Sequence, residues 1–152
     1  LAQIPGQNGR LFGRDAGPGE TPVFGFLEPA CGTCAVFYPM VKEWLNEAPG
    51  KLRLTVRHVP FHTGVDYVVR VLEASREQGK YWETLETLLA TQREWTQNHT
   101  VLQDRILPAI ADVGLDMDKL KDDMNRMGVA GISWRHGGHQ VAQKFSITTL
   151  PR

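Results

Sequence analysis

Cysteine is scarce in this chain: its 152 residues include two, Cys31 and Cys34. Two thiols cannot form the multi-bridge framework that staples a small secreted protein. A chain of this length also buries enough core to fold without staples. Neither sign of charge is in excess, because 17 basic and 17 acidic side chains cancel. No dense basic stripe is present either, which argues against a nucleic-acid partner held through phosphate contacts. Long apolar runs are missing as well. None approaches the roughly 18 residues of a membrane span, and Leu1–Arg10 lacks the regions of a signal peptide, so no membrane span is expected in this chain. Residues 1–9, "LAQIPGQNG", read as a polar leader punctuated by Gly and Pro. Export stays open, since a signal can be removed ahead of such a start. There is no internal repeat and no low-complexity segment.

The residues that are present read as strand, helix, strand, then a long helical stretch. "TPVFGFL", Thr21 to Leu27, is a short apolar and aromatic run suited to a central strand covered on both faces. Phe37, Met40, Val41, Trp44 and Leu45 recur at helical spacing until "APG" at Ala48–Gly50 stops the helix. "KLRLTVRHVP" alternates, with Leu52, Leu54 and Val56 on one face, and Pro60 ends the strand. Next come a helix with Val65, Val68, Val69 and Leu72 on its buried stripe and one with Trp82, Leu85, Leu88 and Leu89. Thr63 with Asp66, and Thr100 with Gln103, resemble capping boxes. Ile106, Ile110 and Val113 predict a further helix that Pro108 shortens or kinks. Asp116–Met127 predicts another helix, and "SWRHGGHQVAQKF" a last one weakened by Gly137 and Gly138. Helices placed between strands imply a small α/β core interrupted by a helical subdomain.

The two cysteines fall where the first strand gives way to a helix. At a helix N-terminus the Cys31 sulfur faces unsatisfied N–H groups and the positive end of the helix dipole, which favour thiolate over thiol. Cys34, one turn on, is placed to bond with it and to act as the more buried, resolving thiol. Gly32 leaves the approach open, and Thr33 offers a hydroxyl to the thiolate. Two buried core cysteines are the plain alternative. The strand ending just before the pair and the helix starting at it favour a redox couple.

"FGFLEPACGTCAVFYPMV", with Pro39 five residues after the second cysteine, resembles the active-site strand and helix of the thioredoxin superfamily. The long helical insertion after the second strand and the Ile147–Pro151 segment resemble the DsbA-like thiol–disulfide oxidoreductases. "VRHVPF", "ADVGLD" and "HQVAQKFSITTLP" fall where that family has corresponding segments, so the likeness runs from about Pro22 to Pro151. It implies a thioredoxin-like fold in three parts: residues 1–62 as the first part of the core, 63–130 as the inserted helical subdomain, and 131–152 as the return to the core. It further implies that Cys31 is the nucleophile and Cys34 resolves the mixed disulfide. Leu150 and Pro151 would form a cis-proline loop that offers backbone groups to an extended substrate peptide. Protein thiols and disulfides are the implied substrates, with a separate redox partner protein, no cofactor, and a periplasmic or otherwise extracytoplasmic setting.

This chain departs from the family pattern in three ways. Gly-Thr separates the cysteines, in place of the Pro-His of strongly oxidising members or the Gly-Pro of thioredoxin. Gly25 stands six positions before Cys31, where many members carry an acid, and Glu28 is the nearest carboxylate. The chain stops at Arg152, whereas the family continues with a strand hairpin and a closing helix, so those elements are expected to be missing from it.

Other signals have plainer readings. His136 and His139, combined with the two thiols, would make a zinc set in a metal carrier, but a solvated helix face explains both histidines. His58 and His62 flank the end of the second strand and are expected to be partly buried, with proton shuttling as the sharper alternative. Trp44, Trp82, Trp95 and Trp134 read as packing residues. Asn98-His99-Thr100 matches the glycosylation tripeptide, with a capping role for Thr100 preferred. The competing function is a binding protein, either a metal carrier using Cys31 and Cys34 or a peptide-docking module on the same scaffold.

Overall fold

The computed structural model describes residues 21–130. β1 (Thr21–Leu27) and β2 (Leu52–His58) pair in parallel, in register from Thr21 opposite Leu52 to Leu27 opposite His58. Parallel strands need a crossover, and α1 (Gly32–Glu47) provides it. The alternation of β2 places Leu54 and Val56 in the core. β1 differs from its expected double coverage. Among the described residues it bonds only to β2, and while Leu27 is buried, Phe26 is 63% exposed.

On α1, Tyr38 is buried, and Cys34, Ala35, Val41 and Leu45 lean on the core. Trp44 does not pack as expected: it is 53% exposed, with Phe37 and Met40 also turned outward. Helical spacing showed an apolar stripe, but the stripe is wider than the face that meets the core.

The helical stretch comprises α2 (Val65–Arg76), α3 (Tyr81–Ala90), α4 (Gln92–Trp95), α5 (Ile106–Ala109) and α6 (Met117–Ala130). The expected stripes of α2 and α3 are buried, as are Trp82 and Trp95. Gly79, at φ +70°, closes α2, and the Lys80 N–H donates to the Ser75 carbonyl at 2.9 Å. Pro108 lies in the four-residue α5, between 3-10 turns at Gln103–Arg105 and Ala111–Val113, so the helix expected there is short and broken. α6 packs on α2 through a face that buries Leu120 and Met124. No described helix is long and apolar enough to cross a membrane.

Neither capping box forms. Gly64, at φ +81°, occupies the N-cap of α2, and its side-chain-free backbone accepts this left-handed turn. Thr63 instead pairs through its backbone with a small hairpin, β3 (Thr96–Gln97) and β4 (Thr100–Val101). Its N–H donates to the His99 carbonyl at 3.2 Å, and its carbonyl accepts the Val101 N–H at 2.9 Å. Thr100 is therefore a strand residue.

Side chains tie the helices to the sheet. The Nδ1 of His58 lies 3.2 Å from the Leu27 carbonyl, to which it donates, and its Nε2 accepts the Tyr81 hydroxyl at 2.8 Å. The Tyr38 hydroxyl donates to Glu86 at 3.2 Å, and Lys42 pairs with the same carboxylate at 2.7 Å. The expected final helix, Trp134, His136, His139, and the Leu150–Pro151 loop lie outside the described residues.

Candidate active site

The loop between β1 and α1 carries Glu28, Pro29 and Ala30, all buried, and delivers Cys31 to the N-cap of α1. The Cys31 N–H donates to the Glu28 carbonyl at 3.0 Å, which turns the chain. The Cys31 carbonyl then accepts the Ala35 N–H at 3.2 Å as the first bond of the helix. Its extended backbone, φ −80° and ψ 118°, is the usual N-cap conformation. Cys31 thus sits at the positive end of a sixteen-residue helix.

Cys34 follows one turn later. Both cysteines are free thiols and half-buried, but Cys34 is the one that packs against the hydrophobic core. Burial pushes the Cys34 thiol up. The Glu28 backbone N–H, aimed at its sulfur, opposes that effect, while the Cys31 sulfur beside it and the Glu28 charge add to it. Gly32 and Thr33 are exposed, and the Thr33 hydroxyl makes no hydrogen bond among the described residues. A Cβ at Gly32 would come only into ordinary contact, 3.7 Å from the Gln92 side-chain oxygen. Open approach to Cys31 is thus a property of the whole exposed first turn. Beside Cys34 lies an apolar cleft of about 270 Å³, lined by Phe26, Phe37 and Val56 among others.

Two contributors to the site are brought together only by the fold. Gln92, at the start of α4, donates its amide to the Pro29 carbonyl at 2.7 Å and to the Cys31 carbonyl at 3.0 Å. The helical stretch therefore clamps the loop that presents Cys31. The second contributor is a chain of polar groups behind the thiols. Glu28 is 1% exposed, and its Oε2 lies 2.9 Å from the Nδ1 of His62. The His62 and Ala30 backbone N–H groups also face the carboxylate. None of these contacts is aligned as a full hydrogen bond among the described residues. Burial, only partly offset by His62 and those N–H groups, therefore holds the Glu28 carboxyl above the ordinary carboxylate range. Glu28, three positions before Cys31, is thus a buried acid, whereas Gly25 carries no side chain.

A raised carboxyl has a stability consequence of definite sign. The unfolded chain ionises Glu28 near the ordinary value of 4.5, and the folded chain only at higher pH. Folding therefore loses stability as pH rises through the folded value. Glu28→Gln is expected to raise stability at pH 8, because the amide does not ionise in the buried site. The gain should vanish near pH 4. Urea midpoints of both proteins at the two pH values check this, and an equal gain at both would show that ionisation is not its source.

The chain has clear relatives. The sequence profile of the thioredoxin family matches residues 12–132. Among solved structures, a thioredoxin-like oxidoreductase from Silicibacter pomeroyi DSS-3 aligns with TM-score 0.58 and 26% identity, over 72% of this chain and 61% of its own. The oxidoreductase DsbA from Xylella fastidiosa aligns with TM-score 0.58 and 20% identity, over 70% and 58%. This chain thus spans about six-tenths of each structure. A Na(+)/H(+) antiporter NhaA from Herminiimonas arsenicoxydans is 28% identical over 78 residues, which are 51% of this chain and 12% of the antiporter. The chain belongs to the thioredoxin family, and its fold is DsbA-like, with helices inserted after the second strand.

Proposed function

We propose that this protein is a thiol–disulfide oxidoreductase that exchanges disulfides with protein substrates through Cys31-Gly32-Thr33-Cys34. The observation that carries the reading is the placement of Cys31 at the N-cap of α1, one turn before Cys34, with the buried Glu28 behind them. Cys31, as thiolate, attacks a substrate disulfide and forms a mixed disulfide. Cys34 then gives its proton to Glu28 and attacks the Cys31 sulfur, releasing the substrate as a dithiol. The reverse sequence oxidises a substrate dithiol. No organic cofactor enters, and a partner protein resets the pair.

Leu150 and Pro151, outside the described residues, are assigned to the substrate-binding loop by resemblance. The exposed Phe26 and Phe37 beside Cys34 suit an extended peptide with apolar side chains. An extracytoplasmic location belongs to the same proposal and rests on the DsbA-like fold. The metal-carrier reading finds no support in the described residues, where no three His, Cys, Asp or Glu side chains converge on a metal position.

The test is substrate trapping. Cys34→Ala should accumulate mixed disulfides with protein substrates through Cys31, visible as dithiothreitol-sensitive adducts. A Cys31→Ala/Cys34→Ala protein should form none. Absence of adducts from the single variant would sink the redox reading.

A further inference from the structure

Glu28 exchanges protons with a thiol in a place sealed from water, so it needs a route to solvent. Among the described residues, one set of groups is suited to it. The Nδ1 of His62 lies 2.9 Å from the Oε2 of Glu28, and the Nε2 of His62 lies 3.1 Å from the Nδ1 of His99. The two imidazoles stack with ring centroids 5.1 Å apart and 24° between planes. Glu28 is buried, His62 half-buried and His99 exposed. The three therefore run from the thiols to the surface through both nitrogens of His62.

The hairpin that presents His99 is built at a conformational cost. Asn98 and His99 both have positive φ, +48° and +59°. Such two-residue turns favour glycine at the second position, and a β-carbon there costs about 1 kcal/mol. The backbone bonds between Thr63 and the hairpin lock it against the residue that follows His62. The strained position is the one whose imidazole completes the chain, and strain of this kind often marks function.

We propose that His62 and His99 form the outlet through which the proton passed between Cys34 and Glu28 reaches solvent. The inference rests on the redox reading above. With His62 as imidazolium, it pairs with the Glu28 carboxylate through Nδ1 and donates its Nε2–H to the Nδ1 of His99. When Cys34 loses its proton to Glu28, the S–H bond breaks and an O–H bond forms on the carboxyl. The Cys34 thiolate attacks the Cys31 sulfur of the mixed disulfide, forming the intramolecular S–S bond and expelling the substrate thiolate. The Nε2 proton of His62 moves to His99, which releases its own Nε2 proton to water. One proton enters from Cys34 and one leaves from His99. On reduction each step runs backward, and Glu28 returns the proton to Cys34. From the β1–α1 loop His62 faces Glu28 and, beyond it, the thiols; from the hairpin it faces His99; Asp66, early in α2, is paired with Arg70 at 3.6 Å.

The test mixes the reduced full chain with oxidised glutathione and follows two phases, adduct formation at Cys31 and closure by Cys34. His62→Gln keeps a hydrogen-bonding side chain but carries no proton onward. His99→Gly removes the imidazole from a backbone that suits glycine, so the fold should be retained. Both variants should keep the first phase and slow closure by about tenfold. That is less than the 10²–10⁴-fold of a direct acid–base group, because water substitutes in part. Free imidazole should restore closure in His99→Gly. Closure within twofold of wild type in both variants would overturn the outlet. So would slowed closure in His99→Gly that imidazole does not rescue, since the hairpin would then act only as structure. Loss of the first phase in the wild type itself would instead count against the redox reading.

Discussion

A Cys31→Ser variant is expected to lose thiol–disulfide exchange by at least about 10³-fold, the scale on which removing a covalent nucleophile acts. The serine oxygen fits the same N-cap, so the fold should survive. Without sulfur at this position, no mixed disulfide can form. Cys34→Ser should behave differently: adducts form at close to the wild-type rate but do not resolve. The asymmetry follows from placement. Cys31 lies at the N-terminus of α1 beside an exposed turn, while Cys34 leans on the core near Glu28. Stopped-flow measurement of adduct formation with a small disulfide distinguishes the two variants. Loss of the first phase in Cys34→Ser, with the phase kept in Cys31→Ser, would reverse the assigned roles.

The parts of the site that are local in sequence were legible there. An apolar run, two cysteines and a helical stripe within 30 residues predicted β1, the turn and α1, and strict alternation predicted β2. Apolar spacing extended this to the helical insertion, which the family likeness matched. The groups behind the thiols were harder to read because they come together only through folding. His62 lies 34 residues from Glu28 and 37 from His99, and Gln92 lies 61 from Cys31. The hairpin carrying His99 was missed for a local reason. Its turn is Asn-His, which lacks the glycine that usually announces such turns. Thr100 was then read as a cap because Gln103 follows at the right spacing. Trp44 shows a different limit: periodicity identifies an apolar face but not whether another element covers it.

Placing Gln92 and His99 in the helical stretch gives that insertion a role in the chemistry as proposed. Gln92 holds the loop before Cys31, and the hairpin after α4 holds the proton route behind Cys34. Both thiols are thus served from the same segment. Movement of α4 would disturb presentation of the nucleophile and proton release together. The direction of electron transfer depends on how strongly this surround stabilises the reduced pair, with about 30 mV corresponding to about 1.4 kcal/mol.

The largest pH effect on stability is expected from His58. It is 5% exposed, and burial holds its imidazole down to about 4, against an ordinary value of 6.5. The bond to the Leu27 carbonyl favours the charged form, but less than burial opposes it, and the positive charge of Arg76 adds to the effect of burial. Neutral His58 donates to Leu27 and accepts from Tyr81, so it joins β1, β2 and α3 without carrying charge. In the unfolded chain it takes up a proton as pH falls below 6.5. The folded chain resists until about 4. Stability is therefore complete above 6.5 and falls as pH drops toward 4, by about 3 kcal/mol from this group. His58→Gln retains a donor and an acceptor but does not titrate. It should destabilise the protein at pH 7.5, and that deficit should shrink by about 3 kcal/mol at pH 4, as read from urea midpoints. A deficit independent of pH would mean that folding does not shift His58, so that it carries charge in the folded protein at pH 4. The Tyr81 hydroxyl would then have to turn from donor to acceptor, and the joint between the sheet and α3 would rest on a buried charge instead of a neutral bridge.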